Sequence, residues 1–431
     1  MPAVSPSLWD LDVPDHVPLI RQPLPRYDVA VIGAGYSGLA AALFLARLGR
    51  SVLVLEAETV GFGCSSRNGG MVGPSFHKLG MAGLTRAYGP EAAQALMGAG
   101  MQALDAFERF VADEGLECDF RLTGRFRGAR TETDLRGMLA ECARLRDQVG
   151  LPFEPVDAAG ARAQIGSDAY VGGVIYPRDG GLHPKKLVNA LAQRAEAAGV
   201  EIRSHCPVAG LRPEAGGHLL RTAQGEVRAD EVVIATNGYS DRRLPTMNDR
   251  VVPIWVTVAA TRAMAPERIR EMSPGLRMHG ETGRVFLWSR PSPCGTRFIF
   301  GGRMADRTAS PERQRRQVAA KVARIFPALG PEAFEHLWYG KIAYTADHAP
   351  HLNRIEGMWH LGGYCGSGVT RSIFFAQALA RKIAGGGGGE LPFDRLEFPR
   401  VPFRPLAPQV ARLLTRWYAG LDARDLRRKR G

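Results

Sequence analysis

The sequence predicts an α/β chain, α+β overall. A Rossmann-like nucleotide domain is interleaved with a second domain built on an antiparallel sheet plus helices. Three observations carry this. An apolar run, a glycine turn and a second apolar run ending in an acid occupy residues 29–56. Strand–helix units of parallel type recur at 28–56, 184–238 and 359–384. Between them, 251–262 and 284–303 alternate apolar and polar residues, as antiparallel strands do.

The first unit reads Val29-Ala-Val-Ile-Gly33-Ala-Gly35-Tyr36-Ser37-Gly38, then Leu53-Val-Leu-Glu56. Gly33 suits the tight turn and Gly35 the approach of a pyrophosphate. Gly38 suits close helix–strand packing. The helix N-terminus offers free N–H groups to phosphate. Glu56 stands where an acid accepts from the ribose hydroxyls of an adenosine. Taken alone, this unit admits NAD, NADP or FAD.

Further along, 80–115 and 131–150 read as helices, with apolar residues at helical spacing. A helix opens at Pro184 and stops at Gly199. Strands follow at 200–204 and 232–235. A helix at 310–326, a short strand at 359–361 and a helix at 367–384 complete the pattern. The nucleotide domain therefore takes 27–85, 156–245 and 336–390. The second domain takes 86–155 and 246–335. Residues 1–26, rich in proline, read as an extended surface arm. Residues 391–431 form a C-terminal segment with a basic tail.

The 431 residues are 45% hydrophobic and 23% charged, ordinary values for a soluble protein with a large core. No apolar run is long enough to span a bilayer, and the N-terminus lacks the features of a secretory signal. The six cysteines form no Cys-x-x-Cys pair, so neither a disulfide framework nor a zinc site is expected, and a cytoplasmic, reduced chain is the default. The formal charge of +13 comes almost entirely from arginines spread along the chain. No nucleic-acid signature accompanies it, so no nucleic-acid partner and no metal are expected. Val410, Leu413, Leu414, Trp417 and Leu421 have helical spacing beside Arg412, Arg416 and Arg424, ahead of the run Arg427–Arg430. The stretch reads as a helix packed on the protein's own surface, with an interfacial membrane anchor as the less favoured alternative.

Several motifs in order resemble the FAD-dependent glycine oxidase/D-amino-acid oxidase superfamily, above all its γ-glutamylputrescine oxidoreductase-like branch. They are Ser7-Leu-Trp9, the loop Gly61–Gly70, Asp179-Gly-Gly-Leu-His183-Pro184, Ala235-Thr236-Asn237-Gly238-Tyr239, Phe300-Gly-Gly-Arg303, Thr345-Ala-Asp347-His-Ala-Pro350 and Gly362-Gly363-Tyr364-Cys365-Gly366-Ser367-Gly368-Val369. Two positions depart from the family pattern. Cys64 stands where Ala is usual, and Cys365 and Ser367 replace a Ser and a His. The resemblance covers about residues 7–425.

The resemblance implies non-covalent FAD. Its site would comprise Gly33, Gly35, Tyr36, Ser37, Gly38, Glu56, Ala57, Gly63, Cys64, Ser65, Arg67, Asn68, Gly69, Gly70 and Met71. To these it adds Val208, Thr236, Asn237, Gly238, Gly363, Tyr364, Gly366, Ser367, Gly368 and Val369. The loop 67–70 would turn over the pyrophosphate, with Arg67 supplying charge. The helix opened by Gly362–Gly368 would aim its dipole at the flavin. The implied activity is oxidation of the CH–NH bond of an amine or amino acid, by hydride transfer to flavin N5 and hydrolysis of the imine, with O2 as acceptor. The alternatives are a dehydrogenase passing electrons to a quinone or carrier, and a non-catalytic flavin-binding protein. Trp255, Trp288 and Tyr364, with Phe286 and Phe298, are candidates to wall the catalytic site. Arg303 and Arg290 are candidates to hold a substrate carboxylate. His77 and His183 read as structural, and Cys365 as a small apolar filler. No lysine lies between Lys186 and Lys321, which leaves the oxidase reading without the lysine that some relatives place over the flavin. The partners are thus a small-molecule amine and an electron acceptor. The oligomeric state is left open.

Overall fold

A computed structural model describes residues 6–427, and among them two large sheets face each other across a cavity. In the first, Tyr27–Ile32 lies between Val52–Leu55 and Gly225–Ile234, all parallel. Glu201–Arg203 extends one edge in parallel and Met358–Gly362 the other, which His351–Ile355 closes antiparallel. The register pairs Ile32 with both Leu55 and Ile234, so these strands end level. Their carboxyl ends thus form one shelf, where a doubly wound sheet places its ligand. The helices Tyr36–Arg47, Pro184–Ala197 and Gly368–Ala384 pack together on one side. Val29, Val31, Leu39, Leu43 and Leu379 are buried between them and the sheet.

The second sheet runs Phe334–Tyr344, Val252–Thr261, Phe298–Gly302, Trp288–Pro291, Met278–Glu281, Arg125–Ala129, Gly172–Tyr176, Glu154–Asp157. It is antiparallel except where Met278–Glu281 meets Arg125–Ala129 in parallel. That seam joins strands from two separate stretches of chain. The fold class is as expected. The pairing moves two boundaries later than 156 and 336, because Gly172–Tyr176 pairs with Arg125–Ala129 and Phe334–Tyr344 with Val252–Thr261.

Other differences have local causes. The helix expected over 80–115 is two, Gly80–Tyr88 and Pro90–Asp113, broken at Gly89. A hairpin of Val208–Glu214 and Gly217–Thr222, not expected, edges the first sheet. The N-terminal segment is not a surface arm at its start. Leu8 and Trp9 are buried. The Trp9 ring packs edge-on against His183 and Trp338, with centroids 4.9 and 6.1 Å away. Lys185 Nζ holds the segment through Asp10 at 2.6 Å and Asp15 at 2.7 Å. The C-terminal helix Ala407–Arg427 packs on the chain itself. Asp422 is buried there, accepting from Arg284 Nη1 at 2.9 Å and the Val285 N–H at 2.9 Å. The basic tail beyond Arg427 lies outside the described residues. No helix among the described residues is long and apolar enough to cross a membrane.

His77, His183, His279 and His360 are all buried, and burial pushes each imidazole down to about 4. Their unfolded values lie near 6.5. Between these limits the unfolded chain binds more protons, so stability falls as pH falls, by about 1.4 kcal/mol per proton per pH unit. Asp179, pushed up to about 6 by burial, opposes this with one proton bound in the fold. The histidines outnumber it. We therefore expect a lower denaturant midpoint at pH 5 than at pH 7, with net proton uptake on unfolding. A flat profile would show that these imidazoles are not held neutral.

Candidate active site

The turn after Tyr27–Ile32 has no room for side chains. A Cβ at Gly38 would stand 1.9 Å from the Gly33 carbonyl oxygen, and one at Gly35 would stand 2.9 Å from Ser65 Oγ. Gly33 itself has φ +108°. Glu56, at the end of the neighbouring strand, accepts from the Ala34 N–H at 2.8 Å and the Glu58 N–H at 3.1 Å. Burial raises its pKa, against those backbone donors. The carboxylate is therefore fixed at the shelf edge, facing the groove.

Opposite the turn lies the loop 61–72. Four successive carbonyls of this loop are drawn to donors. Trp338 Nε1 donates to the Arg67 oxygen at 2.9 Å and Trp9 Nε1 to the Asn68 oxygen at 3.0 Å. Arg290 Nη1 donates to the oxygens of Gly69 at 3.0 Å and Gly70 at 2.9 Å. The same nitrogen donates to the Leu182 oxygen at 2.9 Å. Asn68 braces the loop from within, through the Cys64 and Ser65 carbonyls and the Gly70 N–H. With its carbonyls committed, the loop presents little negative potential to a phosphate.

Arg290 is therefore not a substrate ligand. It is buried, and burial pushes its guanidinium down to about 10. It spans the second sheet, the loop and Leu182, two residues ahead of the helix Pro184–Ala197. Close approach is essential here. A Cβ at Gly69 would stand 2.3 Å from the Trp288 ring, and one at Gly70 would stand 2.6 Å from Arg290 Nη1.

The cavity between the sheets has a volume of about 1480 Å³. That exceeds the ~300–1,000 Å³ of a drug-sized site and suits a dinucleotide plus a second molecule. Gly33, Gly35, Tyr36, Ser37, Glu56, Ala57 and Val208 line one end. Gly63, Cys64, Ser65, Arg67, Asn68, Gly69, Met71, Thr236 and Asn237 line the middle. Tyr364, Cys365, Gly366, Ser367, Gly368 and Val369 flank the start of the helix Gly368–Ala384. Gly38, Gly70, Gly238 and Gly363 stand behind the wall instead. Each makes room for a neighbour: a Cβ at Gly363 would stand 2.5 Å from Thr345 Cγ2. The donors, the glycine turn and the fixed acid fit an adenine dinucleotide along this shelf.

The far end is walled by Trp255, Trp288, Phe286, Arg303 and Tyr344. Arg303 donates to Thr415 of the C-terminal helix, whose Leu414 and Tyr418 also reach the cavity. Phe298 is buried in the second core against Phe300 and Phe326, away from the cavity. The Tyr364 hydroxyl shares a 2.7 Å hydrogen bond with Ser37, which ties the two glycine loops together and removes that hydroxyl from the reaction space. His183 caps its helix, accepting from the Lys186 N–H. His77 accepts from the Leu79 N–H. Each thus braces its own backbone, and His77 also lines the cavity. Burial pushes the Cys64 thiol to about 11 and raises that of Cys365, so neither is a ready nucleophile. No metal-holding cluster occurs among the described residues. Two lysines escaped the sequence reading. Lys78 and Lys341 both line the cavity, one from a loop and one from Phe334–Tyr344.

Comparison with known proteins extends this geometry. The model of the DAO family, "FAD dependent oxidoreductase", matches residues 28–382. Gamma-glutamylputrescine oxidoreductase of Escherichia coli is 26% identical over 378 residues, covering 87% of each chain. Glycine oxidase of Geobacillus kaustophilus is 29% identical over 380 residues, covering 83% of this chain and 94% of its own. The crystal structure of glycine oxidase from Geobacillus kaustophilus superposes with a TM-score of 0.68 at 23% identity, over 88% of this chain and 100% of that one. L-proline dehydrogenase from P. horikoshii gives 0.70 at 20% identity, over 86% and 96%. The structural matches share the fold.

Replacing Arg290 by Met removes the donor from the buried carbonyls of Gly69 and Leu182, at about 1–3 kcal/mol each. The variant should unfold at lower denaturant and lose bound dinucleotide at least about tenfold faster in gel filtration. Retention equal to that of the parent would show that Arg290 does not hold the loop.

Proposed function

The chain belongs to the DAO family of FAD-dependent oxidoreductases, and from that premise we propose that it oxidises the C–N bond of a primary or secondary amine or amino acid. The observation that carries this reading is the far compartment of the cavity. It is walled by Trp255, Trp288 and Phe286, and burial lowers the two histidines that line the cavity, His77 to about 4 and His348 below its usual range. Amine oxidation needs a dry, oriented site more than it needs acid–base groups. Relatives carry names of the same class, among them gamma-glutamylputrescine oxidoreductase, glycine oxidase and D-amino acid dehydrogenase.

The shelf residues would hold the cofactor. Glu56 would accept from the adenosine ribose, the helix Tyr36–Arg47 would face the pyrophosphate, and the loop 63–71 would cover it. Gly366–Val369 would bring backbone and helix dipole to the ring. When bound, FAD supplies an acceptor for the hydride released from the carbon beside nitrogen. With a substrate in place, the flanking aromatic walls would shield that carbon from water. Trp255 is stiffened by Arg307 and Lys341, whose cationic groups lie 4.5 and 5.2 Å from its ring. Arg303 would orient a polar group of the substrate, positioned by Thr415. The substrate leaves as an imine, which water hydrolyses. The raised thiols favour FAD held without a covalent link. O2 or a second carrier then takes the electrons.

The test is anaerobic bleaching of the flavin-loaded protein with glycine, sarcosine, D-amino acids and putrescine derivatives. At least one should bleach the flavin, and Arg303→Met should lower kcat/KM for it about 10- to 100-fold. Admitting air then separates an oxidase, which regains colour, from a dehydrogenase. A flavin that stays oxidised with every amine would refute the reading.

A further inference from the structure

The C-terminal helix Ala407–Arg427 packs on the chain by one face only. Ala411, Thr415, Ala419, Asp422 and Leu426 recur at three- and four-residue spacing, the period of one helix face, and turn inward. Thr415 accepts from Arg303 there, and Asp422 is buried against Arg284 and Val285. The acids of the helix are thereby committed. Asp422 and Asp425 both pair with Arg284, at 2.9 and 2.8 Å.

The outward face is apolar. Val410, Leu413, Leu414 and Trp417 recur at the same spacing and are exposed. Leu413 is 63% exposed and Trp417 58%. Phe403 and Leu406, in the turn ahead, are 82% and 58% exposed. One exposed apolar side chain is ordinary, whereas a contiguous row marks a contact surface. Tyr418 stands at its edge, with its ring centroid 5.0 Å from that of Trp417. Arg412, Arg416 and Arg427 run along one flank, and Arg424 stands in line with Leu413 and Trp417. Among the described residues, no ion pair occupies Arg412, Arg416 or Arg424. The outer face is thus an apolar ridge edged by arginines, with no acid. In the sequence, further basic residues follow at 428–430, outside the described residues.

We propose that this face docks the protein on an anionic lipid bilayer, with the helix lying along the surface. The inference stands apart from the amine-oxidising reading. The chemistry of the face selects the occupant. In a pairing of two copies the ridge would meet itself, arginines included, with no acid to compensate them. An anionic bilayer satisfies every part of it. Acyl chains receive Leu413 and Trp417, and the headgroup layer suits the amphipathic rings of Trp417 and Tyr418. Lipid phosphates pair with the guanidinium forks, whose stems lie along the apolar surface. The helix is not apolar enough to cross the bilayer, so it rests in the interface. Leu414 and Tyr418 also line the cavity, so the docked face adjoins the far compartment.

The experiment sediments flavin-loaded, full-length protein with two kinds of vesicle. One is phosphatidylcholine alone, and the other is phosphatidylcholine mixed equally with phosphatidylglycerol. The parent should bind the mixed vesicles saturably, at least about tenfold more tightly than the neutral ones, and lose about tenfold or more in high salt. Leu413→Ser and Trp417→Ser together should weaken binding about 10- to 100-fold. Arg412→Gln, Arg416→Gln and Arg424→Gln together should do the same. All five side chains are exposed, so both variants should keep their flavin and the parent's Tm. Absence of binding to the mixed vesicles overturns the proposal without any variant, as does equal binding to neutral ones. Binding indifferent to Leu413 and Trp417 overturns it too, by assigning the attraction to charge elsewhere. A dimer seen by light scattering without lipid, and broken by the Leu413 and Trp417 substitutions, would give the face to a second copy instead and also overturn it.

Discussion

Four consecutive carbonyls at residues 67–70 must be held back from the cavity, and the rest of the structure depends on how this is done. A glycine-rich loop with free carbonyls would repel the phosphates it covers. Here Trp338, Trp9 and Arg290 supply the donors. The three come from the second sheet, from the N-terminal segment and from the second sheet again. The loop therefore takes its shape only when both sheets and the first turn of the chain are in place. The loop's shape and the joint between the sheets rest on the same set of hydrogen bonds.

This explains where the large side chains go. Trp288 and Arg290 alternate on one strand and share a face, and both press on Gly69 and Gly70. Neither glycine tolerates a Cβ there. Trp9 is buried because its ring N–H is spoken for at the loop, and Lys185 secures the segment that delivers it. On the other side, Asn237 accepts from the Gly363 N–H at 2.9 Å and Ser37 meets Tyr364. The second glycine loop is thus locked to the first. The C-terminal helix reaches the far compartment through Arg303 and is anchored by Asp422.

Backbone demands were legible in the sequence. Gly33, Gly35, Gly38 and Glu56 are read from spacing, since a tight turn and an acid at a strand end leave few choices of residue. The motifs spread from Ser7 to Val369 pointed to the family and its cofactor. Side-chain direction was not legible. Arg290 and Phe298 look like site residues because strands alternate, but alternation does not say which face meets the cavity. Phe298 turned to the core and Arg290 to the loop. Lys78 lies in an aperiodic segment, where no pattern marks it, and only the meeting of two domains makes it a cavity residue. The strand Phe334–Tyr344 was missed for a related reason. Its pairing with Val252–Thr261 is set by distant chain, and its glycine and mixed polarity hide the period.

The central claim is that shelf and loop together recognise a whole adenine dinucleotide carrying a flavin. It is tested most directly by stripping the protein of flavin and titrating it with FAD and with FMN, following flavin fluorescence. By the proposed reading, Glu56 and the glycine turn after Tyr27–Ile32 would act on the adenylate half, which FMN lacks. Charged hydrogen bonds of this kind are each worth about 1.5–3 kcal/mol, so FAD should bind at least about a hundredfold more tightly. The Glu56→Ala protein should lose most of that preference. Equal binding of FAD and FMN, or a preference indifferent to Glu56, would contradict the account.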